Sequence, residues 1–342
     1  MRTGKGLVLG KFLPPHQGHI YLCEFAQNYV EDLAIVVGTL KSEPIPGVLR
    51  HGWMTELFPG ARVLHLTDEN PQYPHEHPDF WQIWKASLTR ILPWRPDYVF
   101  ASELYGFPLA EILGAQFVPV DVGRTAVPIS GSQIRADPWS HWDSIPPCVR
   151  PFFLRRVCIF GPESTGKSTL TAQLARHFQT VCVPEYARTW LEPREGRISP
   201  ADIPQIARGQ IAAEDALARH ANRLLFCDTD LLTTAIWSEV LFEGCPAWIR
   251  AEAQARRYDL TLLLDVDVPW VGDCVRYLPD ERRSFFARCE AALEAAERPY
   301  VIIRGSWEER FSSACAAVNA LIRPGEAPGS PQQPTLSENA RG

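Results

Sequence analysis

Apolar positions in this chain cluster in short runs separated by longer stretches of helical spacing, and this alternation occurs in two blocks. In the first block, residues 6–10 (GLVLG) read as a buried strand, residues 20–30 as a helix with Ile20, Leu22, Cys23, Phe25 and Ala26 on its apolar side, and residues 33–37 as a second strand. That order is a βαβ unit. Residues 117–121 read as a further strand. In the second block, strands are expected at 157–160, 181–184, 224–227, 260–264 and 300–303, with helices at 204–220, 231–242, 281–297 and 307–322. Strands alternating with helices in this way form a parallel sheet covered on both faces. Ligands of such sheets bind beyond the carboxyl ends of the strands.

The turn after strand 157–160 carries the strongest chemical signal. Residues 161–169, GPESTGKST, match the phosphate-binding loop G-x-x-x-x-G-K-[ST], and residues 170–178 continue as a helix. In such a loop, backbone N–H groups cradle phosphate oxygens, the lysine reaches the outer phosphates and the hydroxyl after it ligates Mg²⁺. Gly161, Glu163, Ser164, Thr165, Gly166, Ser168 and Thr169 are therefore expected at ATP, with Lys167 catalytic. Because this loop normally follows the first strand of its domain, the residues before it are assigned to a separate domain.

Composition fits two globular domains. The chain has 342 residues, 46% hydrophobic, and a formal charge of −6. Nucleic acid is not expected as a partner, because phosphate-backbone binding needs clustered Lys and Arg. No apolar stretch reaches membrane-spanning length and the first ten residues lack the apolar segment of a secretory signal, so a cytoplasmic protein is expected. The nine cysteines have no C-x-x-C spacing and read as reduced thiols. Residues 137–153, with four prolines and several aromatics, read as a packed connector with the boundary near Cys148. The expected division is 1–147, 148–323 and a disordered tail at 324–342, rich in Pro, Gly, Ser and Gln.

In the first domain, His16 and His19 fall in the first strand-to-helix turn, with Gly18 between them allowing backbone to approach a ligand. Two imidazoles at a helix N-terminus suit the charge that develops when an α-phosphorus is attacked. A capped turn or half of a metal site are the alternatives. Residues 129–135, ISGSQIR, put two hydroxyls and an arginine at the start of another helix.

Together, GKFLPPHQGH at 10–19 and ISGSQIR resemble the paired signatures of the HxGH nucleotidyltransferases. The resemblance implies a doubly wound parallel sheet, and adenylyl transfer to an acceptor phosphate with release of pyrophosphate and no covalent intermediate. It places His16, His19 and Arg135 at the triphosphate, with Gly10, Lys11, Phe12, Gly18, Ser130 and Ser132 around the ATP. The stretches YPHEHPDFWQIW (73–84), DYVFASE (97–103) and VDVGRT (120–125), followed by the P-loop domain, are similar to the bifunctional nicotinamide-nucleotide adenylyltransferase and ribosylnicotinamide kinase family, the NadR type. The likeness runs from about residue 6 to 322. It implies an α/β protein with two doubly wound parallel-sheet domains, ATP and Mg²⁺ at both sites, and nicotinamide riboside, NMN and NAD as ligands. Some members carry an N-terminal helix-turn-helix, for which this chain leaves no room before its first strand. A homo-oligomer is compatible with the sequence, which does not fix the assembly.

Trp81 and Trp84 offer an aromatic face to a cationic nicotinamide ring, or else belong to the core. Arg124 follows a strand end and is expected at the acceptor phosphate. His75, Glu76 and His77 read as solvated loop residues, since no third metal ligand is recognisable. In the second domain, Glu185 ends one strand and Asp228 and Asp230 end the next. A kinase needs one carboxylate for Mg²⁺ and another to take the hydroxyl proton. Asp228 suits the metal. Glu185 or Asp230 suits the base, although Glu185 has the alternative of pairing with Arg188, and Asp230 of capping the helix at Leu231. Arg276 lies where the family carries a lid arginine, but the displaced Gly272 leaves the hinge there undefined. Two further readings are a nucleotide sensor with little turnover and a fused transferase and kinase for a different nucleotide.

Overall fold

The structure is a computed structural model, and it describes residues 2–278 and 280–322. The expected tail lies outside the described residues. The chain divides into two compact units, one through Val149 and the other from Arg150.

The first unit runs β1 (Lys5–Gly10), α1 (Gln17–Tyr29), β2 (Asp32–Gly38), α2 (Gly47–Leu57), β3 (Arg62–Leu66), α3 (Phe80–Ile91), β4 (Tyr98–Ala101), α4 (Gly106–Leu113), β5 (Gln116–Pro119) and α5 (Gly131–Ala136). Its five strands are parallel in the order β3-β2-β1-β4-β5. Alternate residues feed opposite layers, as a pleated strand requires. Val8, Ile35 and Val37 join Leu22, Cys23 and Met54 on one face, while Leu7 and Val36 join Leu66, Leu88 and Leu109 on the other. Because the connections from β1 leave toward β2 and later return to β4 on its other side, a crevice opens above the carboxyl ends of β1 and β4.

The second unit runs β6 (Arg155–Phe160), α6 (Lys167–His177), β7 (Cys182–Val183), α7 (Tyr186–Leu191), α8 (Ile203–Ala218), β8 (Leu224–Asp228), α9 (Leu231–Phe242), α10 (Ala247–Ala255), β9 (Leu260–Leu264), α11 (Arg282–Ala295), β10 (Tyr300–Ile303) and α12 (Trp307–Leu321). All five strands are again parallel, in the order β10-β9-β6-β8-β7. Every residue of β8 and β9 is buried, which is what unbroken apolar runs predict for central parallel strands. The P-loop leaves the middle strand, so the ends of β8 and β9 flank it.

Several elements depart from the expected bounds. The first helix starts at Gln17 instead of residue 20, because His16 caps it. The second strand of the P-loop unit is only Cys182–Val183. Helices α2 and α10 and strand β3 did not stand out in the apolar pattern; α2 buries only Arg50 and Met54. The nine cysteines form no disulfide. Among the described residues, no helix is long and apolar enough to cross a membrane.

Candidate functional sites

A cavity of about 720 Å³ lies in the crevice of the first unit. It gathers residues that are far apart in sequence: Gly10, Lys11, Phe12, His16, Gly18 and His19 from the first motif, and Ser130, Ser132 and Arg135 from the second. Trp81, Trp84 and Arg124 line the same space.

His16 is the N-cap of α1. Its Nδ1 accepts the backbone N–H of Gly18 at 3.1 Å, which satisfies an orphan donor of the helix and fixes the ring's proton on Nε2. Burial and then the Arg124 charge lower its pKa to about 4. The half-buried His19 ring lies with its centroid 3.8 Å from that of His16, and its Nδ1 atom is buried; burial, His16 and Arg124 push its pKa down while the Pro14 carbonyl opposes them. Both imidazoles are therefore neutral at pH 7, with the N–H of His16 on Nε2. A bound polyphosphate would meet them without first displacing a proton.

The two motifs are physically joined. The Arg135 guanidinium donates to the carbonyl of Leu13 and, at 3.2 Å, to Ser132 Oγ. Ser130 caps α5 by accepting from Gln133 N. Trp84 Nε1 donates to the Pro71 carbonyl at 2.9 Å, which sets the angle of its ring, and both tryptophans also pack on the core layer around Leu88 and Leu109. Trp81 and Trp84 thus pack against the core and line the cavity at the same time. Arg124 is held at 3.1 Å by Glu103.

Lys11 does not lie free over the cavity but pairs with Glu43 at 3.1 Å. Glu43 in turn meets Arg50, which is fully buried and donates to the carbonyls of Ile45 and Lys11. Sequence reasoning missed Glu43, in the loop before α2, and Arg50, whose only local signal is a charged residue inside that helix. It also missed Asp121, whose carboxylate accepts the N–H groups of Thr125, Ala126 and Val127 and so shapes the approach to the second motif. His75 and His77 sit on an exposed turn, where His77 Nδ1 accepts from Asp79 N.

In the second unit, the P-loop wraps the start of α6. Gly166 takes φ +86°, a left-handed conformation that a side chain would disfavour. Lys167 Nζ donates to the Pro162 carbonyl at 2.9 Å. Thr165 is fully buried and turns its hydroxyl to the same carbonyl, so its expected ligand contact falls to backbone alone. The Ser168 hydroxyl lies close enough to Asp228, at the end of β8, to favour its charged form. The Asp228 Oδ1 atom is buried with no hydrogen-bond partner. Burial and the neighbouring Glu185 raise its pKa to about 6, while Lys167, Ser168 and Arg188 counteract them. A hydroxyl beside an orphaned carboxylate oxygen, within the field of a P-loop lysine, fits a hard cation such as Mg²⁺.

The two candidate bases separate. Asp230 Oδ1 accepts Thr233 N at 3.0 Å as the N-cap of α9, and its other oxygen forms an ion pair with the buried Arg298. Its capping alternative is the one realised, and both oxygens are engaged away from the loop. Glu185 has no ion pair or hydrogen bond to its carboxylate among the described residues. Its alternative of pairing with Arg188 is not realised either, because Arg188 pairs with Glu192 and Asp273.

Residues 268–278 close over the P-loop. Glu163 accepts Tyr277 N at 2.8 Å, Ser164 Oγ accepts Val271 N at 2.7 Å, and Arg282 donates to the carbonyls of Val268 and Ser164. Arg276 bonds back onto Val271 O and Asp273 within that segment, so it does not point at the loop as expected of a lid arginine.

Known proteins sharpen these observations. An AAA domain family matches residues 156–310. The chain is 34% identical over 343 residues to the trifunctional NAD biosynthesis/regulator protein NadR of Escherichia coli K12, covering 93% of this chain and 82% of that protein. It is 33% identical over 305 residues to the protein of the same name from Salmonella typhimurium LT2, covering 82% and 74%. Among solved structures, a NadR protein in complex with NR superposes with a TM-score of 0.77 at 22% identity, over 94% of this chain and 97% of that one. A NadR complex with NAD and AMP-PNP gives 0.76 at 23% identity, over 93% and 96%. At these identities the structural likenesses speak for the fold, whereas the sequence identity over most of both proteins speaks for kinship. This chain belongs to the NadR family.

Proposed function

We propose that the chain makes NAD by two successive reactions, each in its own unit. The second unit phosphorylates the 5′-hydroxyl of nicotinamide riboside with ATP to give NMN. The first, an HxGH nucleotidyltransferase domain, joins NMN to the α-phosphoryl group of another ATP to give NAD and pyrophosphate. The observation that carries this reading is the cavity of the first unit, where both phosphate-binding motifs meet two tryptophans and Arg124 in one space. The names of the relatives and the ligands of the solved NadR structures support the same substrates.

In the kinase reaction, the P-loop N–H groups and Lys167 hold the β- and γ-phosphates. Mg²⁺ bound by Ser168 and Asp228 would neutralise phosphate charge and orient the γ-phosphoryl group. Glu185, whose carboxylate is free, accepts the proton of the 5′-hydroxyl as that oxygen attacks. In the adenylyl transfer the attacking NMN phosphate is already ionised at pH 7, so no general base is required. His16, His19 and Arg135 donate to the triphosphate and stabilise the pyrophosphate as it leaves. Trp81 or Trp84 stacks on the nicotinamide ring, and Arg124 exchanges Glu103 for the NMN phosphate. Lys11 likewise leaves Glu43 for the α-phosphate.

The test is turnover. Incubation with ATP, Mg²⁺ and nicotinamide riboside should yield NMN and then NAD, with ADP and pyrophosphate as co-products. Supplied NMN should be adenylylated without the riboside. A protein that binds these ligands but forms neither product contradicts the proposal.

A further inference from the structure

Trp307, the first residue of α12, is 57% exposed although its ring packs directly on Gly166 of the P-loop, leaving no room for a Cβ there. An indole held beside a phosphate-binding glycine, with much of its surface open to solvent, calls for a reason. Its support is rigid. Arg310, one turn further along α12, is 1% exposed and its guanidinium lies 5.7 Å from the Trp307 ring centroid. That guanidinium donates to the carbonyls of Thr165, Gly305 and Asp265 at 2.9–3.0 Å and pairs with Asp267. One buried cation therefore ties together the P-loop, the end of β9 and the end of β10. Ser306 and Glu309 add a reciprocal capping box that fixes the first turn of α12. A groove of about 430 Å³ is lined by Trp307 together with Gln173, Arg176 and His177 of α6 and Glu308 and Phe311 of α12.

We infer that Trp307 is the stacking platform for the purine base of the nucleoside triphosphate bound at the P-loop. This rests on the kinase reading of the second unit and names the part of the donor nucleotide that the P-loop itself does not hold. The loop grips only phosphates, so a base must be held by something beside it, at the strand ends where ligands of parallel sheets lie. Any base offers a π-face to an indole, and one side of this ring is already backed by a guanidinium. Because the loop after β10 is fixed by Arg310 to the carbonyl of Thr165, the platform and the phosphate cradle are held in register before ligand arrives.

Titrating ATP and, separately, inorganic tripolyphosphate into the full chain and its Trp307→Ala and Trp307→Phe variants tests this by calorimetry. The Lys167→Ala variant marks which of the resolved ATP sites belongs to the P-loop. Trp307→Ala should weaken ATP at that site about tenfold or more and leave tripolyphosphate within about twofold, while Trp307→Phe keeps ATP within about threefold. Equal weakening of both ligands would mean that the indole only props the loop, and unchanged ATP affinity would mean that the base lies elsewhere. Either result overturns the inference. Binding needs no acceptor, so a chain that binds ATP in this way but phosphorylates no riboside would refute the proposed function and not this platform.

Discussion

Gly131 sets its bare α-carbon against the carbonyl oxygen of Leu13, so that a Cβ there would stand 2.6 Å from that oxygen. Backbone cannot yield as a side chain can, and the same carbonyl receives the Arg135 guanidinium. Gly131→Ala should therefore push the two motifs of the first unit apart. It should lower NMN adenylylation about tenfold or more and cost about 1–3 kcal/mol of stability in that unit, with riboside phosphorylation unchanged. Paired assays of the two reactions, with a denaturant melt, check this.

Glu185 and Asp230 looked alike in sequence and part company in the fold, so their variants should part as well. Glu185→Gln should reduce kcat of riboside phosphorylation about a hundredfold with little change in melting temperature. Asp230→Ala should instead destabilise the second unit by about 3–5 kcal/mol, because it strands the buried Arg298 and removes a helix cap. Kinetics and thermal unfolding on the same two variants separate base from cap.

Asp228 is expected to trade stability for chemistry. Its pKa is raised in the folded chain to about 6, so above that pH the fold must hold a charge that the unfolded chain hydrates freely. Asp228→Asn should stabilise the second unit by about 1–3 kcal/mol at pH 8, and the gain should fade as pH falls through 6 toward 4, where the native carboxyl takes up its proton. The same variant should lose riboside phosphorylation. Melts across pH 4–8 read the first effect and the kinase assay the second.

The histidine pair gives the opposite slope. Both folded pKa values lie below the ordinary imidazole value, so no penalty exists above about pH 6.5, and stability is lost as pH falls below it while the unfolded chain gains protons. His16→Gln should remove on the order of 2 kcal/mol of that acid-side loss between pH 6.5 and 4. In the free protein, NMR should find neither ring titrating between pH 6 and 8.

The proposed phosphate-binding parts are legible in the sequence because each is a contiguous motif in a strand-to-helix turn: residues 161–169, His16 to His19, and Ser130 to Arg135. Long apolar strands were equally plain, and β9 and β10 have the bounds that their composition predicts. What escaped notice depends on partners distant in sequence. Arg50 is an ordinary helical arginine until Lys11, 39 residues earlier, lends it a carbonyl. Whether Asp230 serves as base or cap depends on Arg298, 68 residues later. Arg276 was assigned by its place in a motif, yet the local chain turns its guanidinium back onto Val271 and Asp273. Helix α2 lacked a clear apolar stripe because one of its two buried side chains is Arg50 itself.

The central claim is that two separate phosphate cradles perform successive reactions on one pyridine compound, and the most direct test is to disable them one at a time. Lys167→Ala and His19→Ala proteins, each confirmed folded, are assayed for NMN formed from nicotinamide riboside and for NAD formed from supplied NMN. Lys167→Ala should abolish the first reaction and spare the second; His19→Ala should do the reverse. Loss of both reactions in both folded variants would contradict the division of labour.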